Sequence, residues 1–164
     1  MPIRPAQPSD IPQILELIRN LAEYEKALHE VRASEKNLLE SLFCENPQVF
    51  AHVATQGDEI VGVAIWYLNY STWLGKHGIY LEDLFVLPQF RGSGHGFALL
   101  RHLAQICVDR GYERLQWWVL DWNQPAIDFY KSLDAIAMDE WTVYRATGDA
   151  LQKIASATFP ASNP

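Results

Sequence analysis

Apolar residues near the start of the chain recur with the spacing of α-helices. Ser9 precedes one such stretch and Ser34 precedes another, and serine is a preferred residue at the start of a helix. The apolar positions are Ile11, Ile14, Leu15, Ile18, Leu21 and Ala22 in the first stretch and Leu38, Leu39 and Leu42 in the second. We therefore predict two amphipathic helices, preceded by a brief strand at Ile3–Pro5.

From residue 49 onwards the pattern changes to that of β-strands. Two runs rich in β-branched and aromatic residues, 49–55 and 60–70, flank the turn sequence Gln56-Gly57-Asp58, which predicts a hairpin. The other predicted strands span residues 79–86, 115–120 and 141–146, the last of which would close the sheet. A long helix ending near Gly111, a short helix beginning at Pro125 and a weak final helix complete the prediction.

The order of these elements indicates the fold class. Helices come first, then a hairpin, then strand–helix–strand, which is typical of a mixed α/β domain built on one central sheet. No repeat, linker or low-complexity tract interrupts the 164 residues, a length that buries a sizeable core without disulfides or metals. We therefore expect a single domain over residues 1–164, with a loosely ordered tail from about Ser156.

Charge and composition exclude several classes of protein. The 20 acidic and 13 basic residues give a net charge of −7, and no basic patch suggests binding to nucleic acid. The apolar runs are too short to span a bilayer, so no membrane partner is expected. The chain starts without a signal-like segment, and Cys44 and Cys107 have no redox or metal spacing. These features favour a cytoplasmic protein that uses no metal.

A glycine-rich loop lies between the predicted strand at 79–86 and the long helix. Glycine lets the backbone turn sharply and approach a ligand closely, and the amides at a helix start bind phosphate. The first turns of that helix contain no acidic residue. An acid there would repel a bound anion. The loop consists of Arg91, Gly92, Ser93, Gly94, His95 and Gly96. A tight strand-to-helix turn without a ligand is the alternative.

Two common phosphate-binding classes do not fit this loop. The lysine that nucleoside triphosphatases require is missing. In a dinucleotide-binding unit an acid is expected about 20 residues further on, where this chain has Gln116.

The pattern Arg-x-x-Gly-x-Gly after an acid-bearing strand resembles the pyrophosphate loop of the GNAT superfamily of N-acetyltransferases. Further motifs resemble its spermidine/spermine and thialysine N-acetyltransferase branch over about residues 3–155. These motifs are Leu21-Ala22-Glu23-Tyr24-Glu25, Tyr70-x-x-Trp73-x-Gly75-Lys76, Tyr80-Leu81-Glu82-Asp83, Asp121-Trp122-Asn123-Gln124 and Phe129-Tyr130-Lys131. The resemblance implies a central mixed, mostly antiparallel sheet flanked by helices and splayed at an acyl-CoA site. It also implies acetyl-CoA as co-substrate and a homodimer.

Two adjacent acids on the predicted strand at 79–86 suit amine chemistry. An amine must lose a proton before it attacks a thioester, and a carboxylate can accept that proton directly or through water. Strand alternation points Glu82 and Asp83 to opposite faces unless a bulge intervenes, so we expect different roles. The resemblance implies that Glu82 is the base, and we assign Asp83 to holding the amine.

The resemblance also implies how the coenzyme is held and how its thiolate leaves. Tyr130 would protonate the thiolate, although a core tyrosine is the alternative. Asn123 would contact the pantetheine arm, or else cap a helix. Backbone amides near Phe85 and Val86 would polarise the thioester carbonyl. We expect direct transfer in a ternary complex, without an acyl-enzyme.

The acceptor amine has its own candidate residues. Trp73 lies in a glycine-flanked loop and could cover a cation, while Tyr24 and Glu25 could bind a distal ammonium. We expect a core role for the tryptophans at other positions, namely Trp66, Trp117, Trp118 and Trp141. The side chain of His95 is expected to be a spectator within the glycine loop.

Two positions depart from the family pattern. Asp134 replaces a glycine that usually follows the tyrosine helix, and Ser71 replaces an acid found in polyamine-specific members. The missing acid favours a small primary amine such as a short diamine or thialysine over a long polycation. The alternatives are acetylation of a protein lysine or N-terminus, and a non-catalytic acyl-CoA-binding module.

Overall fold

The computed structural model describes residues 2–157, and the chain divides into two units, Met1–Trp118 and Val119–Pro164. The tail predicted from about Ser156 lies, apart from its first two residues, outside the described part. The principal elements of the first unit are β1 (Ile3–Pro5), α1 (Ile11–Tyr24), α2 (Glu35–Leu42), β2 (Val49–Gln56), β3 (Glu59–Ser71), β4 (Lys76–Val86), α3 (His95–Arg110) and β5 (Leu115–Gln116).

The sheet has the mixed, mostly antiparallel architecture that we predict. Within residues 2–157 it contains five strands in the order β1-β2-β3-β4-β5. Neighbours from β1 to β4 are antiparallel, and β4 and β5 are parallel. The predicted hairpin is confirmed as β2 and β3, and the parallel pair requires the crossover that α3 provides.

Helices cover both faces of this sheet. The apolar sides of α1 and α2 pack against one face, in a core that includes Ile14, Val53, Val63 and Phe85. On β3, the neighbours of these core positions turn to the opposite face, where Trp66 is only 2% exposed. The core role expected of Trp66 is therefore confirmed.

The start of α1 differs from the prediction. Ser34 caps α2 as expected, accepting a hydrogen bond from the amide of Asn37, but Asp10 and not Ser9 precedes α1. Asp10 is buried, accepts a bond from the Gln7 amide and forms a two-pronged ion pair with Arg4. The chain is thereby held in a short 3-10 turn over Pro8–Asp10, which delays the helix.

The strands β4 and β5 separate soon after they meet. They pair only at Ile79 with Leu115 and at Tyr80 with Gln116. The strand predicted at 115–120 is therefore only two residues long. From residue 81 onwards β4 has β3 on one side and, within the described residues, no strand on the other.

The second unit contains two helices, α4 (Gln124–Lys131) and α5 (Gly148–Ser156). Both were predicted. The strand predicted at 141–146 was wrong: these residues belong to no strand of the described chain. Their aromatic and β-branched side chains favour a strand, but a strand forms only with a partner. Trp141 is 65% exposed, and Trp118 of the first unit is also exposed, so the core role expected of both was wrong.

Across residues 2–157, every helix falls short of the length and apolar character needed to cross a bilayer.

Candidate functional site

A β-bulge in β4 falls on Glu82. Asp83 lies opposite Ile65 of β3 and Leu81 lies opposite Trp66, so Glu82 has no partner of its own on β3. The extra residue interrupts the alternation of side chains along the strand. Asp83 points to the α1 face, because Ile65 does, and the bulge lets the exposed Glu82 approach it.

Two other carboxylates act on Asp83 at this place. Burial raises the pKa of Asp83 to about 6, and the negative charges of Glu82 and Glu25 add to that effect. Burial also raises the pKa of Glu25, which follows the last residue of α1. Such a cluster attracts a cation, because a positive ligand relieves the repulsion among the acids. We call Glu25, Glu82 and Asp83 the carboxylate cluster.

Aromatic rings flank the carboxylate cluster. The pKa of Tyr67 is raised, mainly by burial and more weakly by the negative charge of Glu82. Its ring stacks on Tyr80 with 5.0 Å between centroids, and Tyr80 meets Trp118 edge-on at 5.7 Å. Sequence reasoning did not assign any of these three rings to the site. Their positions in the sequence could have indicated them, since Tyr80 lies two residues before Glu82 and Tyr67 lies two residues after Ile65.

The glycine-rich loop is shaped for close approach to its backbone. Gly92 and Gly94 adopt left-handed conformations, with φ of 76° and 87°, which favour glycine. Gly94 immediately precedes α3, and the amide of Ala98 donates to the carbonyl of Gly94 at 2.9 Å. The amides before Ala98 have no earlier helical carbonyl to bond, and α3 has no acid in its first turn. The arrangement suits an anion.

The remaining side chains of the loop turn away from this backbone. His95 is 3% exposed, and its Nε2 lies 3.4 Å from the side-chain oxygen of Gln56 on β2. It therefore offers the loop only its amide, in keeping with a spectator imidazole. The hydroxyl of Ser93 donates to the carbonyl of Phe90 at 2.9 Å. At Gly96 a Cβ would make only an ordinary van der Waals contact with Val86 Cγ2, at 3.9 Å, so the packing of α3 does not require glycine there.

Arg91 is fixed by three contacts. Its Nε donates to the carbonyl of Val86 at 3.0 Å. Its guanidinium lies over the rings of Tyr24 and Phe85, at 4.8 and 5.3 Å from their centroids. Arg91 thus connects the glycine-rich loop to the end of α1, beside Glu25.

The free edge of β4 presents only one of the two predicted amides. Leu87 N donates to Val61 O on β3, so by strand alternation Phe85 also directs its backbone towards β3. Val86 directs its backbone to the free edge, where its carbonyl accepts the bond from Arg91. The Val86 amide therefore faces the open side of the strand.

Trp73 lies apart from the carboxylate cluster of its own chain. It occupies the turn between β3 and β4 and is 88% exposed. Six residues separate Glu82 from Lys76 at the near end of this turn, about 20 Å along a strand. Ser71 supports the turn, accepting a bond from the Leu74 amide at its hydroxyl.

Asn123 and Tyr130, the two remaining predicted site residues, lie in the second unit, at the start of α4 and within it. Asn123 precedes the helix and its carbonyl accepts bonds from the amides of Ala126 and Ile127, but its side chain makes no capping bond. Tyr130 is half-buried, with its ring 5.4 Å from that of Phe129. Asp134, which replaces the glycine of the family pattern, adopts a left-handed conformation, with φ of 59°.

Comparison with known proteins identifies relatives that match most of the chain. Residues 13–134 match the model of the acetyltransferase (GNAT) family. A thialysine N-epsilon-acetyltransferase of Mus musculus is 38% identical, over 93% of this chain and 96% of its own length. An L-ornithine N5-acetyltransferase of Arabidopsis thaliana is 32% identical, over 93% of this chain and 86% of its own.

Solved structures share the fold. An integron cassette protein from the mobile metagenome of V. cholerae superimposes with a TM-score of 0.79 at 29% identity, covering 95% of this chain and 98% of its own. An aminoglycoside acetyltransferase from an uncultured soil metagenomic sample superimposes with a TM-score of 0.74 at 22% identity, covering 89% and 95%.

Proposed function

The chain belongs to the acetyltransferase (GNAT) family, and from that premise we propose that it transfers an acetyl group from acetyl-CoA to a primary amine of a small diamine or thialysine-like acceptor. The observation that carries the proposal is the carboxylate cluster of Glu25, Glu82 and Asp83, set beside aromatic rings. This combination favours a small cationic acceptor over a neutral one.

The acceptor must be deprotonated before it reacts. An amine with a pKa of about 10.4 is roughly three units from neutrality at pH 7, a cost of about 4 kcal/mol. Glu82 is the proposed base, because it is the exposed member of the carboxylate cluster and can pass the proton to water. Asp83, half-buried beside it, is proposed to hold the ammonium before the proton leaves.

The glycine-rich loop is proposed to bind the diphosphate of acetyl-CoA, which supplies the activated acetyl group. The loop amides from Gly92 to Gly96 and the start of α3 would hold the charge. The left-handed Gly92 supports this proposal. A Cβ at Gly92 would contact no protein atom, so the space beside its backbone is open to a ligand. The Val86 amide on the free edge of β4 is the proposed donor to the thioester carbonyl, because the Phe85 amide faces β3.

Tyr130 and Asn123 complete the proposed machinery. Tyr130 is proposed to protonate the departing thiolate. The phenol is a weaker acid than the thiol, so the hydroxyl must be held close to the sulfur for the proton to pass. Asn123, which precedes α4, is proposed to contact the pantetheine arm, the role that the resemblance implies for it. Direct transfer in a ternary complex needs no covalent nucleophile.

A homodimer is proposed as the working state. Lys76, which follows the turn that carries Trp73, is about 20 Å along β4 from Glu82 of the same chain. If Trp73 covers the acceptor, the Trp73 of one protomer therefore covers the acceptor bound in the site of its partner. Light scattering that finds only a monomer would contradict this part of the proposal.

An assay of free thiol with acetyl-CoA and a panel of amines tests the function. We expect release with thialysine, ornithine, putrescine or spermidine in the panel, and product carrying one acetyl group by mass spectrometry. Silence towards every small amine, in protein that binds acetyl-CoA by calorimetry, would reject the proposal. Turnover with a lysine-containing peptide alone would point to a protein acceptor instead.

A further inference from the structure

A groove beside the carboxylate cluster contains two opposite charges. It has a volume of about 430 Å³, within the range of small-ligand sites. It is lined by Asn20, Glu23, Tyr24, Phe85, Leu87, Pro88, Gln89 and Arg91. All of these belong to the first unit.

The groove adjoins the carboxylate cluster through neighbouring residues. Tyr24 precedes Glu25 at the end of α1, and Phe85 follows Asp83 by two positions on the same face of β4. An acceptor whose reacting amine lies at Asp83 would therefore extend its other end along Phe85 and Tyr24.

Arg91 is prepared to bind a carboxylate in this groove. Its Nε is occupied by Val86 O, and two rings hold the guanidinium plane. Within residues 2–157 its terminal Nη groups have no acceptor. A fixed guanidinium with unused N–H groups presents the paired donors that recognise a carboxylate.

Glu23 supplies the complementary charge. Its side chain is exposed at the groove and forms no ion pair with Arg91 or with another cation of the described chain. Two opposite charges that line one groove without pairing can each take an opposite charge of a ligand. The head group of an α-amino acid carries both, an ammonium and a carboxylate.

We propose that this groove is a head-group subsite, in which Arg91 binds the α-carboxylate and Glu23 the α-ammonium of a diamino acid whose side-chain amine is acetylated. The inference rests on the proposed function and narrows it, because a plain diamine or a polyamine has no carboxylate for Arg91. It also gives the Arg91 side chain a role at the acceptor, and leaves diphosphate binding to the loop amides.

Kinetics with matched acceptors tests this subsite. The acceptors are thialysine, the diamine left when its carboxyl group is replaced by hydrogen, and the acid left when its α-amino group is replaced by hydrogen. In Arg91→Gln, kcat/KM for thialysine should fall about 10- to 100-fold, with the diamine changed by less than about 3-fold. Glu23→Gln should lower kcat/KM for thialysine but leave kcat/KM for the acid without the α-amine unchanged. Arg19→Gln, which removes an exposed charge from α1 outside the groove, is the control.

Binding of acetyl-CoA separates the subsite from a phosphate contact. Its calorimetric affinity should be unchanged in Arg91→Gln. Weaker binding of acetyl-CoA together with equal losses for thialysine and the diamine would overturn the proposal, as would a wild-type enzyme that does not prefer thialysine. If Arg91→Gln does not fold, Arg91→Lys keeps the charge without the planar fork and should show a smaller loss of the same kind.

The proposed function and the subsite fail in different ways. If no amine releases thiol, the function is rejected, yet calorimetry with thialysine and CoA still shows whether Arg91 and Glu23 hold the head group. If amines react without any dependence on the carboxylate, the function stands and the subsite is rejected.

Discussion

Burial, and after it the negative charge of the adjacent Glu82, raises the pKa of Asp83 to about 6. The two side chains come together because the bulge at Glu82 breaks the alternation of β4. A carboxylate so placed is unstable alone and is stabilised by a cation. The folded protein therefore keeps a site that is more favourable with an ammonium bound than without one.

The first prediction concerns stability as a function of pH. The pKa of Asp83 rises from 3.8 in the unfolded chain to about 6, so the folded state binds the proton more tightly. Stability from this group is present below about pH 4 and is lost as the pH rises to about 6. Asp83→Asn should thus be more stable than the wild type by about 1–2 kcal/mol at pH 8, and equally stable near pH 4.

Urea denaturation at the two pH values measures this difference. The same variant should lose affinity for the acceptor, because the ammonium loses its partner. An Asp83→Asn protein that is less stable than the wild type at pH 8 would contradict the assigned cost of the carboxylate.

The second prediction concerns Glu82. Glu82→Gln should lower turnover about 10²- to 10⁴-fold at pH 7, the usual contribution of a general base. The deficit should shrink as the pH approaches the pKa of the amine, since solvent then removes the proton. Stopped-time thiol assays from pH 7 to 10 measure this, with Glu59→Gln at the exposed start of β3 as control. A deficit that is constant over this range would exclude the role of base.

Glu82→Gln has a second readout that does not depend on turnover. Removing the negative charge should lower the pKa of Asp83 below that of the wild type. Carboxyl NMR titration of the two proteins measures it.

Local features of the sequence predicted most of the first unit. The spacing of apolar residues identified α1 and α2, and the turn at Gly57 identified the β2–β3 hairpin, because each depends on neighbours in the chain.

Features that depend on distant pairing were not predictable. The bulge at Glu82 is a property of the register between β3 and β4, and alternation alone placed Glu82 and Asp83 on opposite faces. The strand expected at 141–146 failed because propensity does not supply a partner strand. The approach of Arg91 to Tyr24 joins two segments that are far apart in sequence.

The third prediction separates charge from shape in the glycine-rich loop. Gly94 has φ of 87°, which asparagine and aspartate tolerate better than most residues. Gly94→Asn and Gly94→Asp add similar volume, but only the second adds a negative charge where the diphosphate is proposed to bind. Calorimetry should show a loss of acetyl-CoA affinity in Gly94→Asp at least about 10-fold greater than in Gly94→Asn. Equal losses would mean that the loop does not bind an anion.

The fourth prediction concerns Tyr130. Tyr130→Phe keeps the ring and removes the hydroxyl, so kcat should fall by about 10²-fold or more while the affinity for acetyl-CoA changes by less than about 3-fold. Steady-state kinetics and calorimetry on the same preparation make the comparison. A parallel loss of affinity and turnover would indicate a role in binding and not in proton transfer.

The last prediction concerns the ion pair at the start of α1, where the pH dependence has the opposite sign to that of Asp83. The hydrogen bonds from Arg4 are the main reason that the pKa of Asp10 is lowered. Stability from Asp10 is therefore present above pH 3.8 and is lost as the pH falls through its lower folded value. Arg4→Gln leaves a buried carboxylate without its cation and should cost about 1–3 kcal/mol at pH 7. Thermal unfolding should show this difference shrinking below pH 3.8, and a difference that grows there would contradict the assignment.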